Sequence, residues 1–309
     1  MQNIQKIEYI NDQEISFEIL KNELYIEPVT CCNLNCRMCY VKVLNGNHKK
    51  ELQENDILDF IDKFARINDN NDFKINWCGT GEVFLYTPFT KIINLLNDKF
   101  NGRIEQLIIT NGTINRLKEI DDLTNINFQV SIDGLEENHN WNRGNGNYKK
   151  SVDFCKDALK LNCKSLKINS LITKENLPYI TQFVKTLKKE IGDSINFTFL
   201  IPLTNKQVKA LSNSYVSPKI DTSKIIDYVD LIKYINNSNN EIKRLVSYGK
   251  ITVPLYLSVN PSGISCCCEN EIKLGNLNSD ICELMVRLEN SIELCKKCPL
   301  FKTYCILNL

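Results

Sequence analysis

The run Thr30-Cys-Cys-Asn-Leu-Asn-Cys-Arg-Met-Cys-Tyr40 decides the reading of this chain. It places Cys32, Cys36 and Cys39 in a Cys-x3-Cys-x2-Cys array on one short loop, so three thiolates can converge on one inorganic centre. An iron–sulfur cube takes four cysteines as a rule. Three local ligands therefore point to a [4Fe–4S] cluster with one iron left open for a small molecule. The alternative is zinc, which accepts cysteines at similar spacings but needs a fourth ligand in a structural site. Cys31, constrained by its neighbour, and His48 are the nearest candidates for that ligand.

Outward from this loop, 309 residues leave room for one large domain and a small one. The 38 basic and 37 acidic residues nearly cancel, which leaves no electrostatic footprint for nucleic acid or an anionic membrane. No apolar signal region opens the chain and no stretch has transmembrane length, so a cytoplasmic protein is expected. In that compartment fourteen cysteines argue for metal ligands rather than disulfides.

Residues 1–23 read as an N-terminal β-hairpin turning at Asn11-Asp12, because apolar and polar residues alternate on either side. Leu24–Val29 is the first core strand, and it delivers the cysteine loop. Strands are then expected at Phe73–Cys78, Ile104–Thr110, Ile126–Asp133, Ser165–Ile172 and Ile195–Ile201. Helical spacing appears behind Asn55 and Asp56, from Phe89 after a Thr87 cap and Pro88, and near 114–123, 147–161 and 176–191. Alternating strands and helices imply right-handed crossovers, hence an α/β fold built as a partial (β/α)6 TIM-like barrel over residues 24–222. Residues 223–309 would form a linker helix, at about 223–236, and a small cysteine-rich domain.

The active site of such a barrel lies at the C-terminal strand ends. Unusual polar residues fall there. The second strand ends in Cys78-Gly-Thr-Gly-Glu82, where two glycines allow close backbone approach and a carboxylate can bind an ammonium group. The third ends in Thr110-Asn111-Gly112, and Asn111 is either a ligand contact or a turn residue. The fourth ends in Ser131-Ile-Asp-Gly134 and runs on to Arg143-Gly144. His139 in that run is read as a hydrogen-bonded structural residue rather than a base.

The cluster loop, the Gly-x-Gly-Glu turn and the Ser131 to Arg143 run resemble radical S-adenosylmethionine (SAM) enzymes over about residues 24–305. The resemblance implies that SAM chelates the open iron of the Cys32, Cys36, Cys39 cluster. Met38 stands where the family usually has an aromatic residue; Met38 and Tyr40 would flank the cofactor. Thr80 and Val83 depart from the family's usual glycine and proline. Gly79, Gly81 and Glu82 would hold the SAM amino group, Ser131 the ribose and Arg143 the carboxylate. Asn111, Asn169, Leu171 and Leu200 complete the implied SAM contacts, although apolar strand residues such as Leu171 and Leu200 are also ordinary core.

In the tail, Cys266, Cys267, Cys268, Cys282, Cys295, Cys298 and Cys305 resemble a SPASM or twitch extension, which binds auxiliary iron–sulfur clusters. The best matches are Cys268, Cys282, Cys295, Cys298 and Cys305. The chain ends four residues after Cys305, so one auxiliary [4Fe–4S] cluster is expected rather than two; a zinc ribbon is the alternative. Cys155 and Cys163 read as small buried hydrophobes. Cys78 is either core or a hydrogen-atom donor beside the cofactor.

The resemblance implies reductive cleavage of SAM to a 5′-deoxyadenosyl radical that abstracts hydrogen from a substrate. The Ser131 to Arg143 run and the tail point to peptide or protein maturation. A flavodoxin or ferredoxin would be the electron donor. The short N-terminus leaves no room for a leader-binding domain, so a separate peptide-recognition protein or a small-molecule substrate is implied. A non-catalytic iron–sulfur or zinc sensor is the remaining class.

Overall fold

The structure, a computed structural model, describes residues 2–10, 13–39, 49–68, 73–101, 103–200, 233–234, 237, 251–266 and 272–297. Strands β1 (Ile4–Ile10) and β2 (Gln13–Ile26) form an antiparallel hairpin. Strands β3 (Phe73–Trp77), β4 (Ile104–Thr110), β5 (Ile126–Ser131), β6 (Ser165–Leu171) and β7 (Asn196–Leu200) then follow β2 side by side, all parallel. Helices α1 (Glu54–Ile67), α2 (Phe89–Phe100), α4 (Asn147–Lys160) and α5 (Ile180–Ile191) connect or flank them, with α3 (Glu136–Arg143) leading into α4. This is a mixed α/β architecture, a parallel partial barrel with an antiparallel region at the C-terminal end.

The six expected barrel strands lie within a residue or two of their positions, except the first. β2 runs unbroken through residue 23, so the hairpin's second strand and the first core strand are one element. Its first half pairs with β1 and its second half with β3. On the opposite edge, β8 (Ile251–Asn260) pairs with β2 in parallel, and Tyr25 stacks on Tyr256 with ring centroids 3.6 Å apart. The tail is thus continuous with the barrel sheet rather than a wholly separate layer. From β8 the chain turns through β9 (Gly263–Ser265) and β10 (Lys273–Gly275), both antiparallel, into α6 (Ile281–Glu289) and α7 (Ser291–Lys297). Lys296 on α7 reaches back to Glu8 on β1 at 2.6 Å.

Helix starts differ slightly from expectation. α1 opens at Glu54 with Gln53 at the cap position, two residues before Asn55, which puts Glu54 and Asp56 in the first turn, where carboxylates suit the helix dipole. α2 is preceded by Pro88 rather than capped by Thr87. Residues 114–123 hold only a single 3-10 turn, Leu117–Glu119. Side chains there bond backbone amides that a helix would need: Asn115 Oδ1 accepts from Leu117 N at 3.2 Å. Arg116 further ties the segment to the carbonyls of Phe84 and Tyr86. The expected linker helix at 223–236 lies mostly outside the described residues.

Phe84, Phe89, Trp77, Phe154 and Phe128 form a chain of edge-to-face rings that joins the strands to α2 and α4. Phe154 is fully buried and touches rings on both sides of this chain. Phe154→Ala is expected to cost about 3–5 kcal/mol, because a ring-sized cavity cannot close between parallel strands and a helix. Urea denaturation should show a lower midpoint with an unchanged slope.

Candidate functional site

The cysteine loop is pinned where it leaves β2 and where the chain returns. Val29 bridges to Glu51, Thr30 N donates to Lys50 O at 3.0 Å, and Leu52 N donates to Pro28 O at 3.0 Å. The turn after β3 then packs directly on the loop's backbone. A Cβ at Gly81 would lie 2.4 Å from Val29 O and 2.5 Å from Cys31 O, so only glycine lets Glu82 N reach Cys31 O, at 2.9 Å. Gly79, at a φ of +130°, is fixed for a second reason: an added Cβ would overlap the side chain of Glu27. Glu27 in turn accepts from Thr80 N at 2.9 Å and from the Thr80 hydroxyl.

This packing aims Glu82 inward. Its carboxylate is buried and accepts from Thr110 Oγ1 at 2.7 Å, Asn111 N at 2.8 Å and Phe84 N at 3.3 Å. Burial holds its pKa above the ordinary carboxylate range despite those bonds. None of the bonds is to a cation, so the site suits an incoming ammonium group.

At the end of β5, Asp133 gathers the next layer. Its Oδ2 accepts from Arg143 Nε at 2.6 Å and Asn142 Nδ2 at 2.7 Å; its Oδ1 accepts from Leu171 N at 3.0 Å and Arg143 Nη2 at 3.3 Å. Burial alone would raise the Asp133 pKa, but the Arg143 charge overrides it and holds the carboxyl below its usual value. Asn142 carries the connection onward, since its Oδ1 accepts from Met38 N at 2.8 Å and its backbone carbonyl from Arg37 N at 2.9 Å. α3 therefore grips the cysteine loop.

Glu82, Asp133, Asn142 and Arg143 line one cavity of about 250 Å³. Cys32, Cys36 and Cys39 line it together with Met38, Gly79, Gly81, Glu82 and Asn111. Ser131, Arg143, Asn169, Leu171 and Leu200 line the opposite side; Ser131 pairs with Asn169 and Leu171 with Leu200 across adjacent strands. Asn169 Oδ1 is buried with no hydrogen-bond partner, an acceptor awaiting a donor. Burial pushes the Cys32 thiol up to about 12 and raises Cys36 as well. A cationic metal centre would reverse that shift, because metal ligation deprotonates a thiol. Among the described residues no three His, Cys, Asp or Glu side chains are grouped to hold a single metal ion. Three thiols lining one open cavity, with a buried acceptor that lacks a donor, fit an inorganic cluster that carries an organic ligand.

Cys78 does not line the cavity; it is half-buried just past the end of β3, and desolvation there pushes its thiol pKa up. Cys155 is buried core. In the tail, Cys282 is exposed on α6 and Cys295 buried on α7, while Tyr40, His48, Cys267, Cys268, Cys298 and Cys305 lie outside the described residues. Asp133 and Asn142 were not singled out as functional from sequence. Glu27, too, gave no signal there, because a carboxylate that packs under a glycine has no periodicity to betray it.

Residues 26–187 match the model of the radical SAM superfamily. An uncharacterized protein of Methanocaldococcus jannaschii is 27% identical over 269 residues, covering 82% of this chain and 88% of that protein. Among solved structures, Streptococcus suis SuiB bound to precursor peptide SuiA superposes with a TM-score of 0.62 at 15% identity, over 91% of this chain and 70% of SuiB. Native anSMEcpe with bound AdoMet (SAM) and Cp18Cys peptide gives 0.64 at 21%, over 91% and 87%. At these identities the likeness is one of fold.

His139 supports this site without entering it. It is fully buried, and Nδ1 accepts from Asp133 N at 3.2 Å, which requires an unprotonated nitrogen. Burial holds its pKa down at about 4. The folded state thus binds fewer protons than the unfolded state between about pH 4 and the free value of about 6.5. Stability from this group is complete above pH 6.5 and lost on acidification toward pH 4. The loss should be about 3 kcal/mol. In His139→Gln, urea midpoints at pH 7 and 4.5 should lie closer together than in the wild type; equal separations would contradict this.

Proposed function

The chain belongs to the radical SAM superfamily, and on that footing we propose that its cavity holds a [4Fe–4S] cluster on Cys32, Cys36 and Cys39 with SAM beside it, for hydrogen abstraction from a peptide. The observation that carries this reading is one cavity shared by three thiols, a buried carboxylate hydrogen-bonded only to neutral donors, and a guanidinium. When bound, the pair supplies reductive cleavage of SAM and a hydrogen-abstracting 5′-deoxyadenosyl radical.

The chain's own residues bind and aim. Glu82 receives the SAM ammonium, with its carboxylate already oriented by three donors. Arg143 offers Nη1 to the SAM carboxylate while Asp133 fixes the guanidinium plane through Nε and Nη2. Ser131 and the free Asn169 Oδ1 meet the ribose and adenine donors, and Leu171 and Leu200 cover the adenine. Met38 closes the wall beside the loop. These residues exclude water from the reacting centre, as control of a reactive radical requires.

A peptide substrate is supported by the likeness of the Ser131 to Arg143 run to peptide-modifying members. The fold shared with SuiB and anSMEcpe, each solved with a peptide, agrees. Cys268, Cys282, Cys295, Cys298 and Cys305 are the candidates from which the four ligands of one auxiliary cluster are drawn, and a flavodoxin or ferredoxin is assigned to electron delivery.

Anaerobically reconstituted protein should carry about eight irons per chain and form 5′-deoxyadenosine under dithionite. A Cys32/Cys36/Cys39→Ala variant should keep about four irons and form none. Arg143→Ala should weaken SAM binding at least tenfold, as expected for loss of a charge-assisted contact. Zinc in place of iron, or no cleavage, would remove the enzyme reading. For the substrate class, deuterium should enter 5′-deoxyadenosine from the peptide fraction of a perdeuterated cell extract. Transfer only from the small-molecule fraction would point to a small-molecule enzyme.

A further inference from the structure

The turn after β4 places Asn111 between the two halves of the site. It is buried, and its backbone N–H holds Glu82 Oε2 at 2.8 Å. The side-chain amide has an unambiguous orientation: Oδ1 accepts from Thr113 N at 2.8 Å, and a backbone N–H can only donate. Nδ2 therefore faces the loop. It donates to Asn33 Oδ1 at 3.0 Å and to Cys32 Sγ at 3.7 Å. The Oδ1 also accepts from Thr113 Oγ1 at 2.6 Å. Both amide hydrogens and both carbonyl lone pairs are thus taken. Nothing on this side chain is left for SAM, although it lines the cavity.

We infer that Asn111 is a positioning residue for the cluster rather than a SAM contact: its amide N–H to Cys32 Sγ raises the reduction potential of the cluster. This rests on the reading of Cys32, Cys36 and Cys39 as cluster ligands. An N–H aimed at a ligating sulfur stabilises negative charge there, and reduction adds negative charge to the cluster. Leu34 N donates to the same sulfur at 3.4 Å, so Cys32 receives a backbone donor and a side-chain donor. The same residue orients Glu82, which couples the electron acceptor to the cofactor's amino-group site through one rigid turn.

The test is an anaerobic redox titration of the reconstituted full-length protein without SAM, followed by the electron paramagnetic resonance (EPR) of the reduced cluster. Wild type is compared with Asn111→Ala and Asn111→Asp. The Asp variant keeps an oxygen for Thr113 and so preserves the turn if the Ala variant fails to fold. Both should show a more negative midpoint, about a tenfold lower ratio of reduced to oxidised cluster at fixed poise, which is about 59 mV for one electron. The shift should be larger for Asp, because an anionic oxygen replaces the donor. SAM affinity for the oxidised cluster should stay within about twofold of wild type, since the amide is saturated without SAM.

An unchanged midpoint with SAM affinity weakened tenfold or more would make Asn111 a SAM contact and overturn the inference. Loss of the cluster from both variants while wild type loads would make its role structural only, which also overturns it. No cluster signal in the wild type would instead fail the reading of the three cysteines, an outcome visible before any variant is compared.

Discussion

The site depends on one buried carboxylate. Asp133 stands where β5 ends, and its two oxygens receive Arg143, Asn142 and the amide of Leu171. Arg143 keeps it ionised in a place where burial would otherwise neutralise it. Such a buried pair adds little net stability, since desolvation offsets attraction, but losing one partner costs about 3–5 kcal/mol. What the pair provides is geometry. It fixes the end of β6 against the end of β5, sets the plane of Arg143, and through Asn142 holds Met38 and the cysteine loop in register.

Everything else in the cavity follows from the parallel sheet. Six strands running in one direction bring six loops to one rim, so residues far apart in sequence become neighbours without long connections. The glycines at 79 and 81 show how tight that rim is. The turn after β3 lies so close to Glu27, Val29 and Cys31 that a single methyl group would displace it. Close approach there puts Glu82 on the same wall as the thiols.

Much of this was legible because the signals were local. The cysteine spacing, the Gly-x-Gly-Glu turn and the alternating strand and helix periods each sit within a few residues, and the barrel strands appear where the periodicity put them. What escaped was non-local or aperiodic. α3 has almost no apolar residues, yet His139 and Asn142 are buried because they satisfy backbone and carboxylate partners, which no hydrophobic period reveals. The pairing of β8 with β2 links residues more than two hundred positions apart, and β2 itself hides the expected break at residue 23. Around Arg116 the apolar spacing was helical, but side-chain bonds to the backbone won. The strand-end position of Asn111 left a ligand contact and a turn residue equally open; only the full set of its partners shows the amide to be occupied.

Contact between the cluster and SAM in one cavity, with the SAM amino and carboxylate groups drawn to Glu82 and Arg143, is tested most directly by electron–nuclear double resonance on the reduced, reconstituted protein with isotope-labelled SAM. Strong hyperfine coupling from the amino nitrogen and carboxylate oxygen to the cluster is the predicted result. A reduced cluster whose spectrum is unchanged by saturating SAM, with no coupling to either label, would contradict the account.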